Sequence, residues 1–309
     1  MISWQPTAGV QALAKRARLL ERIRTWFADT GAMEVNTPVI TECGVTDVQI
    51  ESLSLDDGRY LRTSPEYFHK RLLASGCGDL YEIGPVFRAG EQGRLHQEEF
   101  TLLEWYRVGW TWRALAEETV GLLKACLGNS NMPVSYRSWL DCLQTSTGLD
   151  ALAADDAEIR HAAEDAPAGC TRAMLLDFLF ATRVQPGFPE GAITIVYDYP
   201  AEQAALARRK PDNPALAERF EVFVGAVELA NGYRELTDPV EQRARFEADN
   251  AQRQALNRAA MPVDSRLLAA LQAGLPECSG IALGIDRLAL IATGETNLAA
   301  VTAFPVLRR

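Results

Sequence analysis

Histidine is scarce in this chain, three residues in 309, and the six cysteines (Cys43, Cys77, Cys126, Cys142, Cys170, Cys278) form no CxxC pair. That argues against a disulfide framework and a structural zinc site, and it fits a reducing compartment. No apolar run approaches the roughly 18 residues that span a bilayer. The opening stretch, MISWQPTAGVQALAKRARLL, lacks the apolar region of a secretory signal. A soluble, cytoplasmic protein without a membrane partner is expected. Neither GxGxxG nor GxxxxGK[ST] occurs, so the nucleotide fingerprints of the parallel-sheet folds are missing. Basic residues are also outnumbered, 31 Lys and Arg against 41 Asp and Glu, for a net charge of −10. A large nucleic-acid footprint, which draws its affinity from phosphate neutralisation, is therefore disfavoured.

What is present is an ordinary globular composition, 48% hydrophobic and 23% charged, in a length that suits one large domain or two average ones. Residues 9–29 place Leu13, Leu19, Leu20, Ile23, Trp26 and Phe27 on one stripe, which predicts an amphipathic helix stopped by Gly31. Pro38 cannot donate a ladder hydrogen bond, so MEVNTPVIT belongs at a sheet edge or an interface. VQIESLSLDDGRYLRT reads as a hairpin turning at Asp57-Gly58. Ser64-Pro65-Glu66 reads as a helix start, with Ser64 as N-cap, and that helix ends near Gly76. DLYEIGPVFR and EFTLLEWYRVGW predict two strands joined by the long polar loop AGEQGRLHQE. Residues from 111 to about 190 carry mainly helical periodicity and form a helical insertion. Strands return in AITIVYDYP and FEVFVGAVELANG, Pro211 to Pro214 form a surface loop, and PVEQRARFEADNAQRQAL is a helix. SGIALGIDRLALIATG is a strand running into a helix. Strands with inserted helices, without regular βαβ alternation, predict an α+β fold with a largely antiparallel sheet.

Three segments could carry chemistry. In the first, Phe100, Leu102, Glu104 and Tyr106 share parity and face one side of a sheet, with Arg88 and Arg94 near that surface as a candidate phosphate clamp. For Glu104 alone an ordinary half-exposed sheet face with a satisfied Glu-Arg pair is the better account, and the two nearby arginines shift the balance. In the second, a bulge at Gly225 brings Glu221 and Glu228 to a common face suited to Mg2+, and Asn231-Gly232 turns the chain so that Glu235 returns to the same pocket. A weakened edge strand with solvated acids fits that spacing as well. In the third, GIALGIDR joins a strand to a helix, with small residues against which a planar ligand can lie and Arg287 at the helix start. Such a junction also occurs for packing alone.

In this order the segments resemble the three signature motifs of the class II aminoacyl-tRNA synthetases. GAMEVNTP resembles motif 1, VFRAGEQGRLHQEEFTLLEWY motif 2 and GIALGIDR motif 3. TSPEYFHKRLL, EEFTLLEWYR and ELANGYRELTD resemble the lysyl-tRNA synthetase catalytic core. Motif 1 begins about thirty residues in, which leaves no room before it for an anticodon-binding domain. The combination resembles the family of stand-alone paralogues that attach (R)-β-lysine to a lysine of elongation factor P instead of charging tRNA, and that share Ala282 where the synthetases have glycine. One catalytic domain over 1–309 is implied, an antiparallel sheet flanked by helices, working as a homodimer through motif 1, with ATP and Mg2+ and no tRNA. A truncated lysyl-tRNA synthetase-like activator of α-lysine and a non-catalytic regulatory paralogue are the alternatives.

The resemblance implies roles. Arg88 holds the α-phosphate and substrate carboxylate, and Arg287 meets the adenine or γ-phosphate. His96 and Phe100 border ATP, and Leu229 and Gly284 line it. Glu221 and Glu228 bind Mg2+. Ser64 and Glu66 receive the amino group near the reacting carboxylate, while Glu104, Tyr106, Asn231, Tyr233 and Glu235 enclose the terminal ammonium. Three departures stand out: Ala89-Gly90 displaces the adenine-contacting glutamate to Glu91, Gln97 replaces an asparagine, and Glu98 replaces a proline, which is expected to loosen the start of the returning strand.

Overall fold

The computed structural model describes residues 4–305, which fall into two compact units: 4–110, 125–128 and 237–305 in the first, 111–124 and 129–236 in the second.

The first unit opens with helix α1 (Val10–Asp29), which buries Leu19, Ile23 and Phe27 of the predicted stripe. Phe27 stacks on Tyr81 with ring centroids 4.3 Å apart and meets Trp105 edge-on at 5.5 Å. The helix gives way at Thr30, and Gly31 follows at φ +75°, a conformation only glycine adopts without strain. Four strands form a sheet in the order β1 (Met33–Glu34), β4 (Leu80–Phe87), β5 (Glu99–Val108) and β10 (Cys278–Gly284). β1 runs parallel to β4, while the β4–β5 and β5–β10 pairs are antiparallel. The predicted long-tipped hairpin is thus present as β4 and β5, and Pro38 lies beyond the short strand β1.

Strands β2 (Ile40–Thr41) and β3 (Tyr60–Leu61) form a separate small pair. The turn at Asp57-Gly58 is present, with the Gly58 N–H donating to the Leu55 carbonyl, but its first arm is reduced to a bridge between Ser54 and Tyr60. Helix α2 (Glu66–Ala74) starts one residue later than expected, with Pro65 as N-cap. Ser64 nevertheless does the capping work, because its Oγ accepts the Glu66 N–H at 3.0 Å. Helices α7 (Pro239–Ala255), α8 (Ser265–Gly274) and α9 (Ile285–Thr293) complete the unit.

The second unit holds most of α3 (Trp112–Leu127) and a sheet in the order β9 (Val227–Arg234), β8 (Leu216–Val224), β7 (Ile193–Pro200) and β6 (Val134–Ser138). β6, a strand inside the stretch read as helical, pairs parallel with β7, and the other pairs are antiparallel. Helices α4 (Trp139–Thr147), α5 (Asp156–Ala162) and α6 (Arg172–Leu179) cover this sheet. They share a core with it in which Trp139 stacks on Phe180 at 5.5 Å and Phe188 meets Phe223 at 5.0 Å. Both units mix helices with mainly antiparallel strands, the expected α+β class. Among the described residues no helix is long and apolar enough to cross a membrane.

Candidate functional site

The predicted residues fall into two groups, one in each unit. In the first unit β4 and β5 are in register with Glu82 opposite Glu104, and β10 places Ala282 opposite Glu104 from the other side. Directly opposed residues hold their Cβ atoms roughly 4.5–5.5 Å apart, so the acid is flanked by an acid and a methyl group. Both glutamates are buried, and each is satisfied. Glu104 Oε2 accepts the Ser64 hydroxyl at 2.7 Å, and Oε1 accepts the Tyr106 phenol at 2.9 Å and lies 3.2 Å from His69 Nδ1. The other ring nitrogen of His69 is 2.9 Å from Glu82 Oε2. Glu82 also meets Arg62 at 2.8 Å and the Thr37 hydroxyl at 2.7 Å.

This cluster brings Glu104 and Tyr106 together as expected, bonds Ser64 to them although the sequence set it with Glu66 at the other amino group, and adds Arg62, His69 and Glu82, which the sequence reading missed. Burial pushes the Glu82 carboxyl up, but hydrogen bonds from His69 and Thr37 and the Arg62 charge reverse that and hold it at about 2. Burial likewise pushes His69 down, and its two glutamates outweigh the burial and raise it. Glu66 faces its own helix, its carboxylate accepting Lys70 Nζ at 2.7 Å. A small cavity beside these residues is lined by Cys43, Gly44, Ser52, Ser64, Glu66 and Tyr67.

The loop between β4 and β5 carries the predicted phosphate-side residues. The Arg88 guanidinium lies over the Phe100 ring, 5.0 Å from its centroid, and 3.6 Å from Glu91. Arg287 reaches the same loop from the first turn of α9, with Nη2 2.9 Å from His96 Nε2 and Nε donating to the Leu95 carbonyl at 3.2 Å. Arg94, by contrast, is used on the Thr296 carbonyl at 3.0 Å. Gln97 is half-buried in the loop between His96 and Glu98. The start of β5 is tied rather than loosened: the Glu98 carboxylate accepts the Gly90 N–H at 2.8 Å, and its carbonyl accepts the Arg88 N–H at 2.8 Å. Asp286 also serves positioning, accepting the Thr101 N–H at 2.8 Å and pairing with Arg16. Gly284 is the N-cap of α9, and a methyl group there would make only ordinary contact with the Arg287 stem, nearest at 3.8 Å.

In the second unit the β8–β9 hairpin holds the remaining residues, with two corrections to the sequence reading. Gly225, at φ +55°, lies in the hairpin turn, and the bulge falls instead where the register shifts between Val222 and Phe223, across from Leu229. Asn231-Gly232 makes no turn: both residues are paired inside β9, opposite Glu221 and Phe220. The outcome anticipated for the acids survives by this other route. Glu228 lies opposite Phe223, two residues from Glu221, and alternation sets Asn231, Tyr233 and Glu235 on the Glu221 face.

Arg219, unnoticed in the sequence, organises that face. Its Nη2 is 2.7 Å from Glu221, Nε donates to Asn231 at 3.2 Å, Nη1 donates to the Gln203 carbonyl at 2.6 Å, and its guanidinium lies 4.6 Å from the Tyr199 ring centroid. Leu229 and Glu235 are buried, and Tyr233 packs on Ala204, Ala207 and Ala217. Burial first, then the charge of Glu228, raises the Glu221 carboxyl to about 7 against the opposing pull of Arg219. Two mutually repelling oxygen donors on one face fit a hard divalent cation such as Mg2+, which takes few protein carboxylates. No group of three or more His, Cys, Asp or Glu suited to a metal occurs among the described residues.

Comparison with known proteins places these residues in a lineage. The model for class II tRNA synthetases (D, K and N) matches residues 6–308. The elongation factor P–(R)-β-lysine ligase of Vibrio cholerae is 41% identical to this chain, covering 99% of it and 98% of the relative. Ligases of the same name from Proteus mirabilis and Klebsiella pneumoniae are 43% and 42% identical, with the same coverage. The chain therefore belongs to the class II tRNA synthetase family, in the branch it shares with the elongation factor P–(R)-β-lysine ligases.

Proposed function

We propose that this protein activates (R)-β-lysine with ATP and transfers it to the ε-amino group of a lysine on elongation factor P. The match along the whole chain to ligases of that name carries the reading. In the first half-reaction a carboxylate oxygen of β-lysine attacks the α-phosphorus of ATP, and the bond to the departing pyrophosphate breaks. In the second, the acceptor amine attacks the acyl carbon of the β-lysyl-adenylate, forming an amide as AMP leaves and the amine gives up a proton.

The protein contributes position and charge. Arg88 neutralises the α-phosphate and orients the substrate carboxylate, so that the nucleophile and phosphorus meet without an entropic search. Its place over Phe100 gives the nucleotide a ring and a cation side by side. Arg287, held by His96 and the Leu95 carbonyl, meets the far end of ATP, with Glu91, Gln97 and Gly284 around the nucleotide. Glu221 and Glu228 would hold Mg2+, which would supply further neutralisation of phosphate charge. Ser64 and Glu66 take the amino group near the reacting carboxylate. Glu104 and Tyr106 take the terminal ammonium, a buried charge that demands acids. Ala282, opposite Glu104, sets the depth of that end of the pocket.

The chain also works as a dimer through the segment around Pro38, and light scattering tests this as twice the chain mass. The activity is tested by β-lysine-dependent exchange of pyrophosphate into ATP. Arg88→Ala should abolish it, and near-normal exchange in the folded variant would sink the assignment.

A further inference from the structure

His69 has no part in the roles given so far, although it is fully buried at the centre of the polar cluster. Its two ring nitrogens lie 2.9 Å from Glu82 and 3.2 Å from Glu104. A neutral imidazole has one donor and one acceptor, whereas an ionised carboxylate only accepts, so a bridge between two carboxylates requires both nitrogens protonated. The surroundings agree with an imidazolium. Glu104 receives donors at its other contacts, from the Ser64 hydroxyl, itself occupied as acceptor by the Glu66 N–H, and from the Tyr106 phenol. Glu82 faces the Arg62 cation. Arg62 and His69 together then balance Glu82 and Glu104, and the cluster can be buried without net charge.

We propose that His69 is a positioning residue of the amino-acid site: as a doubly protonated imidazolium it balances the charge of the Glu104 carboxylate and fixes its orientation, so that the substrate's terminal ammonium finds it ready. This rests on the reading that Glu104 receives that ammonium. Without His69, Glu104 is a buried acid that has lost its compensating charge and one of its hydrogen bonds. The carboxylate is then neither balanced nor held in place, and the cost falls on amino-acid binding rather than on the phosphate chemistry. The charged groups facing His69 are Glu82 from β4, Glu104 from β5 and, beyond Glu82, Arg62. Tyr106 presents its ring edge-on at 5.5 Å. Lys70 and Glu66 of the same helix are paired with each other. Helix α8, packed along α2, carries no charged side chain after Arg266.

Two measurements test this. With only three histidines in the chain, 15N-histidine NMR of the whole protein can assign His69 by its loss in His69→Gln. At pH 7.5, where an ordinary histidine with a pKa of about 6.5 is mostly neutral, both ring nitrogens of His69 should carry protons, and a neutral tautomer would overturn the proposal. In pyrophosphate exchange, His69→Leu should raise KM for β-lysine about tenfold or more, the size expected for a lost hydrogen bond to a charged group. KM for ATP and kcat at saturating β-lysine should stay within about twofold. His69→Gln, which retains N–H donors, should fall between. An unchanged or lowered KM for β-lysine in His69→Leu overturns the role. Glu104→Ala separates the premise from the proposal: if it too leaves that KM unchanged, the reading of the ammonium site has failed, whereas a raised KM in Glu104→Ala alone refutes only the role of His69.

Discussion

Gly84→Ala is a one-carbon change with a large predicted effect. Gly84 lies in β4, paired with Leu102, and a Cβ built there falls 2.5 Å from Arg62 Nη2 and 3.2 Å from Glu82 Oε1. Arg62 cannot swing away cheaply. It is 3% exposed, and its guanidinium donates to the Pro85 carbonyl at 3.1 Å, the Thr37 carbonyl at 3.2 Å and the Thr37 hydroxyl at 2.7 Å, while pairing with Glu82 at 2.8 Å. Displacing it leaves the buried Glu82 without one of its two partner cations, with His69 and Thr37 remaining, and breaking such a buried pair costs about 3–5 kcal/mol. Replacing glycine restricts the unfolded chain and offsets about 0.4–1 kcal/mol of that, which leaves a net loss of roughly 2–4 kcal/mol. At the roughly 2–4 °C per kcal/mol typical of a large domain, the thermal midpoint should drop by roughly 5–15 °C, measured by scanning fluorimetry or calorimetry against the parent. A midpoint within about 1 °C of the parent would refute the claim that the Arg62–Glu82 pair is rigid and carries the cluster.

Gly284→Ala is the matching control, because its Cβ meets nothing closer than 3.8 Å: the midpoint should hold, while KM for ATP in pyrophosphate exchange rises several-fold if the nucleotide lies against that backbone. Glu228→Gln should need about ten times more Mg2+ for half-maximal exchange, read from a magnesium titration at fixed ATP. Acid stability follows from Glu82: its folded pKa of about 2 lies below the ordinary value of 4.5, so its contribution is complete above pH 4.5 and is lost as pH falls toward 2. Denaturant midpoints across that range should decline, and Glu82→Gln should decline less steeply. The net charge of −10 predicts an acceptor with a basic segment around its target lysine, so transfer should weaken with added salt while exchange does not.

Much of this was legible because local pattern and tertiary packing agree. The α1 stripe, the β4–β5 hairpin and the strand-to-helix step at GIALGIDR each follow from periodicity and turn chemistry, and the structure has them within a residue or two. What failed depends on register, which a single strand does not reveal. Gly225 and Asn231-Gly232 both look like breakers, and only the pairing of β8 with β9 decides that the first turns the chain and the second stays in the strand. The charge cluster was hidden for the same reason. Glu82 meets Glu104 across a strand pair, and His69 reaches both from a helix, so no spacing in the chain connects them. Arg219 was likewise masked, since a cation two residues before an acid on a strand reads as an ordinary exposed alternation. β6 was lost within a stretch of helical periodicity, because five residues bounded by helices give too short an alternation to stand out.

The central claim is amide formation on a translation factor. Elongation factor P should be incubated with the enzyme, ATP, Mg2+ and (R)-β-lysine, with α-lysine and with tRNA in parallel arms, and its intact mass and modified peptide measured. The account predicts that elongation factor P gains the mass of one β-lysine less one water, on a lysine side chain, only when ATP is present. An unmodified factor, or a lysine esterified to tRNA in its place, contradicts it.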